Sequence, residues 1–185
     1  MRRKSFDNMQ CPVARSLERV GEWWSILIIR DALHGLTRFD QFQESLGIAP
    51  NMLTRRLNAL VEAGLLERRR YSERPPRYEY KLTDRGRDFR SVIVALQAWG
   101  NRHFAPEGPS VLLVNAETGQ TIDAVMVDRA TGRALVDTEL RLVPGPAARE
   151  RTRNRLESSA WNRPSSKPVS GALAKRSRRK PAVRS

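Results

Sequence analysis

Residues 37–82 read TRFDQFQESLGIAPNMLTRRLNALVEAGLLERRRYSERPPRYEYKL, and the order of elements in this stretch decides the fold. Thr37 is placed to cap a short helix, with Asp40 three residues on in a capping-box-like position. Phe39, Phe42 and Leu46 make one apolar stripe along that helix, and Gly47 closes it. Pro50 opens a second helix, since proline is tolerated in a first helical turn whose N–H groups have no partner. Leu53, Leu57, Leu60 and Val61 form its buried face, and Gly64 is its stop. Asn51, Thr54, Arg55, Arg56 and Asn58 are left turned partly or wholly outward. Residues 65–68 and 78–82 alternate as two antiparallel strands, and the Pro75-Pro76 pair between them excludes a regular strand and marks a hairpin tip.

A helix, a tight turn, a second helix with basic and amide side chains on its free face, and an arginine-bearing hairpin together make a winged helix-turn-helix. In that module the second helix enters the DNA major groove and the hairpin lies along the backbone. Upstream, a helix is expected from Cys11-Pro12, with Val13, Leu17 and Val20 on one face and Gly21 at its end. Residues 23–33, WWSILIIRDAL, are too continuously apolar to show a period. Their length favours a buried helix over a strand, one on which the others pack. Downstream, Thr83 caps one long helix carrying Phe89, Val92, Ile93, Leu96 and Trp99 and ending near His103-Phe104.

A second module contains a short repeat: NAETGQTI at 115–122 is echoed thirteen residues later by DRATGRAL at 128–135. Each copy sets a Thr-Gly turn beside short β-prone runs, which predicts two small hairpins. The expected organisation is α+β: an arm at 1–10, a winged helix-turn-helix domain with flanking helices at 11–104, a β-hairpin module at 110–146, and a basic, largely disordered tail at 147–185.

The formal net charge is +14, but 12 of the 34 basic residues and only 2 of the 20 acidic ones follow position 148. Most of the basicity is therefore a tail, and it predicts attraction to polyanions without bearing on the fold. No apolar run approaches the roughly 18 residues of a spanning helix. The basic N-terminus lacks the apolar stretch of a secretory signal. A single cysteine allows no internal disulfide, so a reducing cytoplasm is expected; for a DNA-binding chain that setting is nucleoid-associated, and no membrane partner is expected.

The first hundred positions resemble the HxlR-type winged-helix regulators, a bacterial branch near the MarR superfamily. The resemblance is carried by Cys11-Pro12-Val13-Ala14 with Ser16-Leu17-Glu18, by Gly21 with Trp24, by residues 27–33, by Arg38-Phe39 with Phe42, and by residues 53–57. Gly64-Leu65, residues 76–80 and Leu82-Thr83 with Gly86 complete it. It implies a homodimer built from the first and last helices of the domain, binding an inverted-repeat operator and often repressing a nearby gene. It covers about half the chain, because compact members of the family stop near Phe104.

On the second helix of the motif, Arg55 and Arg56 offer forked donors to guanine or phosphate, and Asn51 and Asn58 suit adenine edges or backbone oxygens, with Thr54 beside them. The plain alternative is a solvated helix face. On the wing, Arg68, Arg69, Arg70, Arg74 and Arg77 suit the minor groove or phosphates, against the alternative of a charged edge that resists aggregation. Arg74 and Arg77 flank the prolines and are the stronger candidates.

Cys11 falls at a helix N-cap, where the dipole favours thiolate and Arg15 stands one turn on. Cysteines at the matching position in similar regulators serve as oxidant or electrophile sensors, and the alternative is a small apolar residue in an interface. The aromatics Trp23, Trp24, Phe39, Phe42, Phe89 and Trp99 are expected in the core rather than in a ligand pocket.

His34 and His103 lack metal-ligand spacing, so no metal and no cofactor are expected. No nucleophilic triad, phosphate loop or matched carboxylate pair points to an enzyme. The basic run 175–180 is expected to act as a disordered arm raising nonspecific DNA affinity. The expected function is a homodimeric, sequence-specific regulator of transcription on double-stranded DNA, acting as a repressor and answering to a redox or small-molecule effector. The rivals are a protein-interaction adaptor working through the β module and a nonspecific architectural DNA binder.

Overall fold

The computed structural model describes Phe6 and residues 9–162. The basic run 175–180 and most of the N-terminal arm lie outside the described residues. The chain divides between Ala124 and Val125 into two compact units. The boundary falls between the two copies of the repeat, inside the stretch expected to be one module.

The first unit begins with α1 (Pro12–Val20) and α2 (Trp23–Leu33), continues through α3 (Phe39–Leu46) and α4 (Pro50–Glu62), and forms the hairpin β1 (Leu66–Glu73) and β2 (Pro76–Leu82). Two further helices follow, α5 (Asp84–Asp88) and α6 (Arg90–His103). The apolar run of α2 is the hub, packing against α1, α3, α4, α6 and β2. Ile28 and Ile29 from α2, Phe42 from α3, Leu53, Leu57 and Leu60 from α4, and Leu66 from β1 are all under 2 % exposed. Burial of each such side chain contributes about 1.5–3 kcal/mol, which makes this cluster the main source of stability.

One charged group sits inside this core. Asp31 on α2 is 3 % exposed. Its Oδ1 accepts from Arg30 Nε at 2.8 Å and its Oδ2 accepts the Ser45 hydroxyl at 2.7 Å. The carboxylate thus joins α2 to α3 with both oxygens satisfied, which is what makes its burial tolerable.

Several local expectations are corrected. The N-cap of α3 is Arg38, not Thr37, and the return contact comes from Gln41 rather than Asp40. Gln41 Oε1 accepts from the N–H groups of Arg38 at 2.9 Å and Thr37 at 3.1 Å. Thr37 is held elsewhere: its carbonyl accepts the Tyr80 N–H at 2.7 Å, so the chain before α3 pairs with the hairpin. The single helix expected after Thr83 is two. Thr83 caps α5, its hydroxyl accepting the Gly86 N–H at 3.1 Å, and the axis breaks at Phe89.

The hairpin strands run further than expected, in register from Leu66 opposite Leu82 to Glu73 opposite Pro76, with an irregularity between Arg70 and Ser72. Pro76 is accommodated because it is the first residue of its strand. Of the stripe expected on α1, Val20 is buried, while Val13 is 65 % and Leu17 43 % exposed.

The repeat survives as geometry rather than as strands. Val114 bridges Thr121, and thirteen residues on Val127 bridges Ala134. The side-chain oxygens of Asn115 and Asp128 close the two turns, accepting from Glu117 and Thr118 in one and from Ala130 and Thr131 in the other. The Thr131 hydroxyl, and then the Ala130 N–H, hold the Asp128 carboxyl below the usual carboxylate range. Each turn is closed by a single bridge and extends into no ladder among the described residues. The last described elements of the second unit are α7 (Glu150–Glu157) and a 3₁₀ turn, Ala160–Asn162. There Asn162 mimics a paired strand, accepting the Leu142 N–H at 2.9 Å and donating to the Leu142 carbonyl at 2.8 Å.

Candidate nucleic-acid interface

The candidate surface is built on α4. Gly47 ends α3 with φ 59°, a left-handed conformation that favours glycine, and buried Ile48 turns the chain towards Pro50. Leu53, Leu57 and Leu60 anchor α4 on the core. Asn51, Thr54, Arg55 and Asn58 follow the spacing i, i+3, i+4, i+7 on the other side, and all four are exposed. Thr54 is oriented by its hydroxyl donating to the Pro50 carbonyl at 2.9 Å, and Arg55 by Nη2 donating to Met52 Sδ at 3.1 Å. Arg56 is not part of this face. Its side chain is 12 % exposed and its Nη2 lies 2.8 Å from Glu22 Oε2.

The C-terminal end of α4 is capped from outside the motif, with Arg85 Nη1 donating to the Ala63 carbonyl at 2.9 Å. Gly64 then reverses the chain at φ 68°. The Thr83 hydroxyl donates to the Gly64 carbonyl at 2.6 Å, which seats the wing at the foot of α4.

The wing's arginines divide by partner. Arg68 stacks its guanidinium 3.6 Å from the centre of the Tyr78 ring. Arg69 pairs with Glu67. Arg70 pairs with Glu73 and donates to the carbonyls of Ser72 at 3.2 Å and Glu73 at 3.0 Å. Arg74 and Arg77 are exposed at the tip, and their side chains make no hydrogen bond or ion pair among the described residues. Sequence reasoning passed over Arg38, which is exposed just before α3 with its guanidinium 5.0 Å from the centre of the Tyr71 ring. Its signal was weak, because Tyr71 faces it only through the irregular register of β1.

Cys11 is the N-cap residue of α1, partly exposed, and its carbonyl accepts the Arg15 N–H at 3.0 Å. Arg15 Nε is used by the Met9 carbonyl at 3.0 Å. The aromatics expected in the core split: Phe42 is fully buried and Trp24, Phe39 and Phe89 pack against the core, while Trp23 is 85 % and Trp99 55 % exposed. Trp99 makes an edge contact with Phe104, ring centres 4.8 Å apart, on the surface of α6. Among the described residues no helix is long and apolar enough to cross a membrane.

A helix-turn-helix with a two-stranded wing and a polar, basic reading face is the architecture of a DNA-binding regulator of transcription. The family profile described as HxlR-like helix-turn-helix matches residues 19–108. The Mycobacterium tuberculosis protein Rv3095, named as an uncharacterized HTH-type transcriptional regulator, is 41% identical over 135 residues, covering 72% of this chain and 85% of that protein.

Two solved structures, each described as a candidate transcription factor, are also similar. PA1374 from Pseudomonas aeruginosa has 61% identity and a TM-score of 0.58, covering 79% of this chain and 100% of that one. PA1607 has 42% identity and a TM-score of 0.64, covering 71% and 93%. The chain belongs to the HxlR family of winged-helix transcriptional regulators. A match over 135 residues cannot fit within the first 108, so the likeness to Rv3095 continues into the appendage, further than the resemblance to compact family members reached.

Proposed function

We propose that this regulator works as a homodimeric repressor on an inverted-repeat operator, with Asn51, Thr54, Arg55 and Asn58 reading the major groove and Arg74 and Arg77 on flanking backbone or minor groove. The observation that carries it is the single exposed face of α4. The dimer is supported by the apolar side chains that α1 and α6 leave exposed: Val13, Leu17, Val92, Leu96 and Trp99. Two-fold symmetry then sets half-sites about one helical turn apart.

Selection of bound fragments from a genomic DNA pool, with the full chain at about 0.15 M salt, tests the reading, and a palindrome is the expected product. Arg55→Ala should weaken binding to the selected duplex by about 1–3 kcal/mol while leaving a scrambled duplex nearly unaffected. An equal loss on both makes Arg55 a phosphate contact. Removing Arg74 and Arg77 together should instead flatten the dependence of log K on log salt by about 0.9 for each phosphate that is no longer neutralised.

Cys11 is proposed as the redox-sensing residue, because it sits at the start of a helix whose exposed face is assigned to the dimer. Oxidant should release the selected duplex from the parent chain but not from Cys11→Ser; equal release from both removes the thiol from the mechanism. The adaptor reading is kept by one observation, the exposed Val111, Leu112, Val125, Met126 and Val143 of the appendage. It predicts that no DNA sequence is enriched.

A further inference from the structure

We propose that Arg56 is a positioning residue of the reading helix, and that the Glu22–Arg56 pair fastens α4 to the corner between α1 and α2 and so sets the roll of the reading face. The inference rests on α4 being the reading helix. Glu22 caps the start of α2 and directly follows Gly21, the residue that ends α1. α1 packs on both α2 and α4, so the pair closes a triangle of three helices. Arg56 Nη2 meets Glu22 Oε2 at 2.8 Å, with the two side chains 12 % and 34 % exposed.

The helical geometry separates Arg56 from its neighbours. At about 100° per residue, Thr54, Asn58, Asn51 and Arg55 occupy an arc of roughly 100°. Arg56 falls about 150° from the middle of that arc, on the near flank of the buried stripe of Leu53, Leu57 and Leu60. Three leucines in a line fix how closely α4 approaches the core, but apolar contact is not directional and leaves the helix able to rock about the stripe. A charge-assisted hydrogen bond on one flank is directional and resists that rocking. Tilting the face moves Arg55 and Asn58 relative to base edges, where bidentate pairing is strict.

Simple electrostatics and this proposal predict opposite signs for Glu22→Gln. Removing a negative charge from a protein that meets phosphates strengthens binding, whereas loosening the fastening weakens it. The test uses the full chain with two probes, the duplex recovered by genomic selection and a scrambled duplex of equal length. Glu22→Gln and Arg56→Gln are each expected to weaken binding to the selected duplex roughly tenfold, and the double variant little more than either, because residues that act as one pair are not additive. The salt dependence should stay that of the parent, and amide hydrogen exchange across 50–62 should quicken in both variants.

Unchanged or tighter binding by Glu22→Gln overturns the proposal. So does a salt slope about 0.9 shallower in Arg56→Gln, which would make the arginine a phosphate contact. If Arg56→Gln does not fold, Glu22→Gln alone decides, since Glu22 is one-third exposed. If selection enriches no duplex, the operator-reading proposal fails, and exchange across 50–62 in Glu22→Gln still decides the fastening: parent-like exchange refutes it.

Discussion

Replacement of Phe42 by alanine is expected to lower the unfolding free energy by about 3–5 kcal/mol, the range found for deleting a fully buried aromatic ring. Phe42 is 0 % exposed and is the one fully buried residue of α3. Without the ring, α3 is held to the rest of the domain by the Ser45–Asp31 hydrogen bond and by partly buried Phe39 and Leu46. A loss of that size is a large share of the 5–15 kcal/mol that domains ordinarily possess. DNA binding should fall with the folded fraction, on selected and scrambled duplexes alike. Arg55→Ala makes the useful contrast: it is expected to leave the denaturant midpoint within about 0.5 kcal/mol of the parent while losing the selected duplex. A Phe42→Ala protein with parental stability would mean that the ring is not the wedge between α3 and the core.

The elements were legible where one force acted alone. Residues 23–33 are apolar but for Ser25, Arg30 and Asp31, and a helix so rich in large apolar side chains belongs at the centre, where α2 packs. The leucines of α4 and the turn at Gly47 and Pro50 were equally plain, since packing and local propensity agree there. Legibility failed where two groups competed for one role. Thr37 and Arg38 are both placed to precede α3, and only the pairing of Thr37 with Tyr80 across the hairpin decides between them.

The assignment of Arg55 and Arg56 to one outward face had a similar cause. Arginine type suggests solvent, while the partner that draws Arg56 inward lies 34 positions earlier in the chain, at Glu22. The helical angle of about 100° between neighbours separates the two arginines, so that much is legible in the sequence. Trp23 is a different failure: size and hydropathy say core, yet it is 85 % exposed while Trp24 beside it packs against the core and Ser25 is buried, so the first turn of α2 has one outward side that its composition does not reveal. Exposure of Val13, Leu17, Val92, Leu96 and Trp99 follows from a pattern that single-chain reasoning assigns to a core, and a two-fold partner is the cover that the proposed dimer supplies.

Gly86→Ala is expected to cost about 2–4 kcal/mol, combining overpacking with the loss of the hydrogen bonds that would have to open. The position is not one of unusual backbone angle; the demand is for space. A Cβ built on Gly86 would lie 2.1 Å from the Leu65 carbonyl oxygen and 2.9 Å from Leu82 Cδ2. Leu82 Cδ2 is the end of a side chain and can turn aside, but the Leu65 oxygen is backbone and is already engaged by the Thr83 N–H at 3.1 Å. Relieving the clash therefore means lifting α5 off the point where α4 hands the chain to β1, and with it the Thr83 hydroxyl that seats the wing on Gly64. Thermal unfolding would show the loss, and wing displacement should shorten the footprint on the selected duplex at its flanks before the central contacts weaken. Gly100→Ala is the control. It lies inside α6 with nothing within 4 Å of its added Cβ, so the same methyl there should stabilise by about 0.5–1 kcal/mol through helix propensity. Opposite signs for the two glycines would place the cost at the Leu65 carbonyl; equal and small effects would show that α5 does not hold the wing.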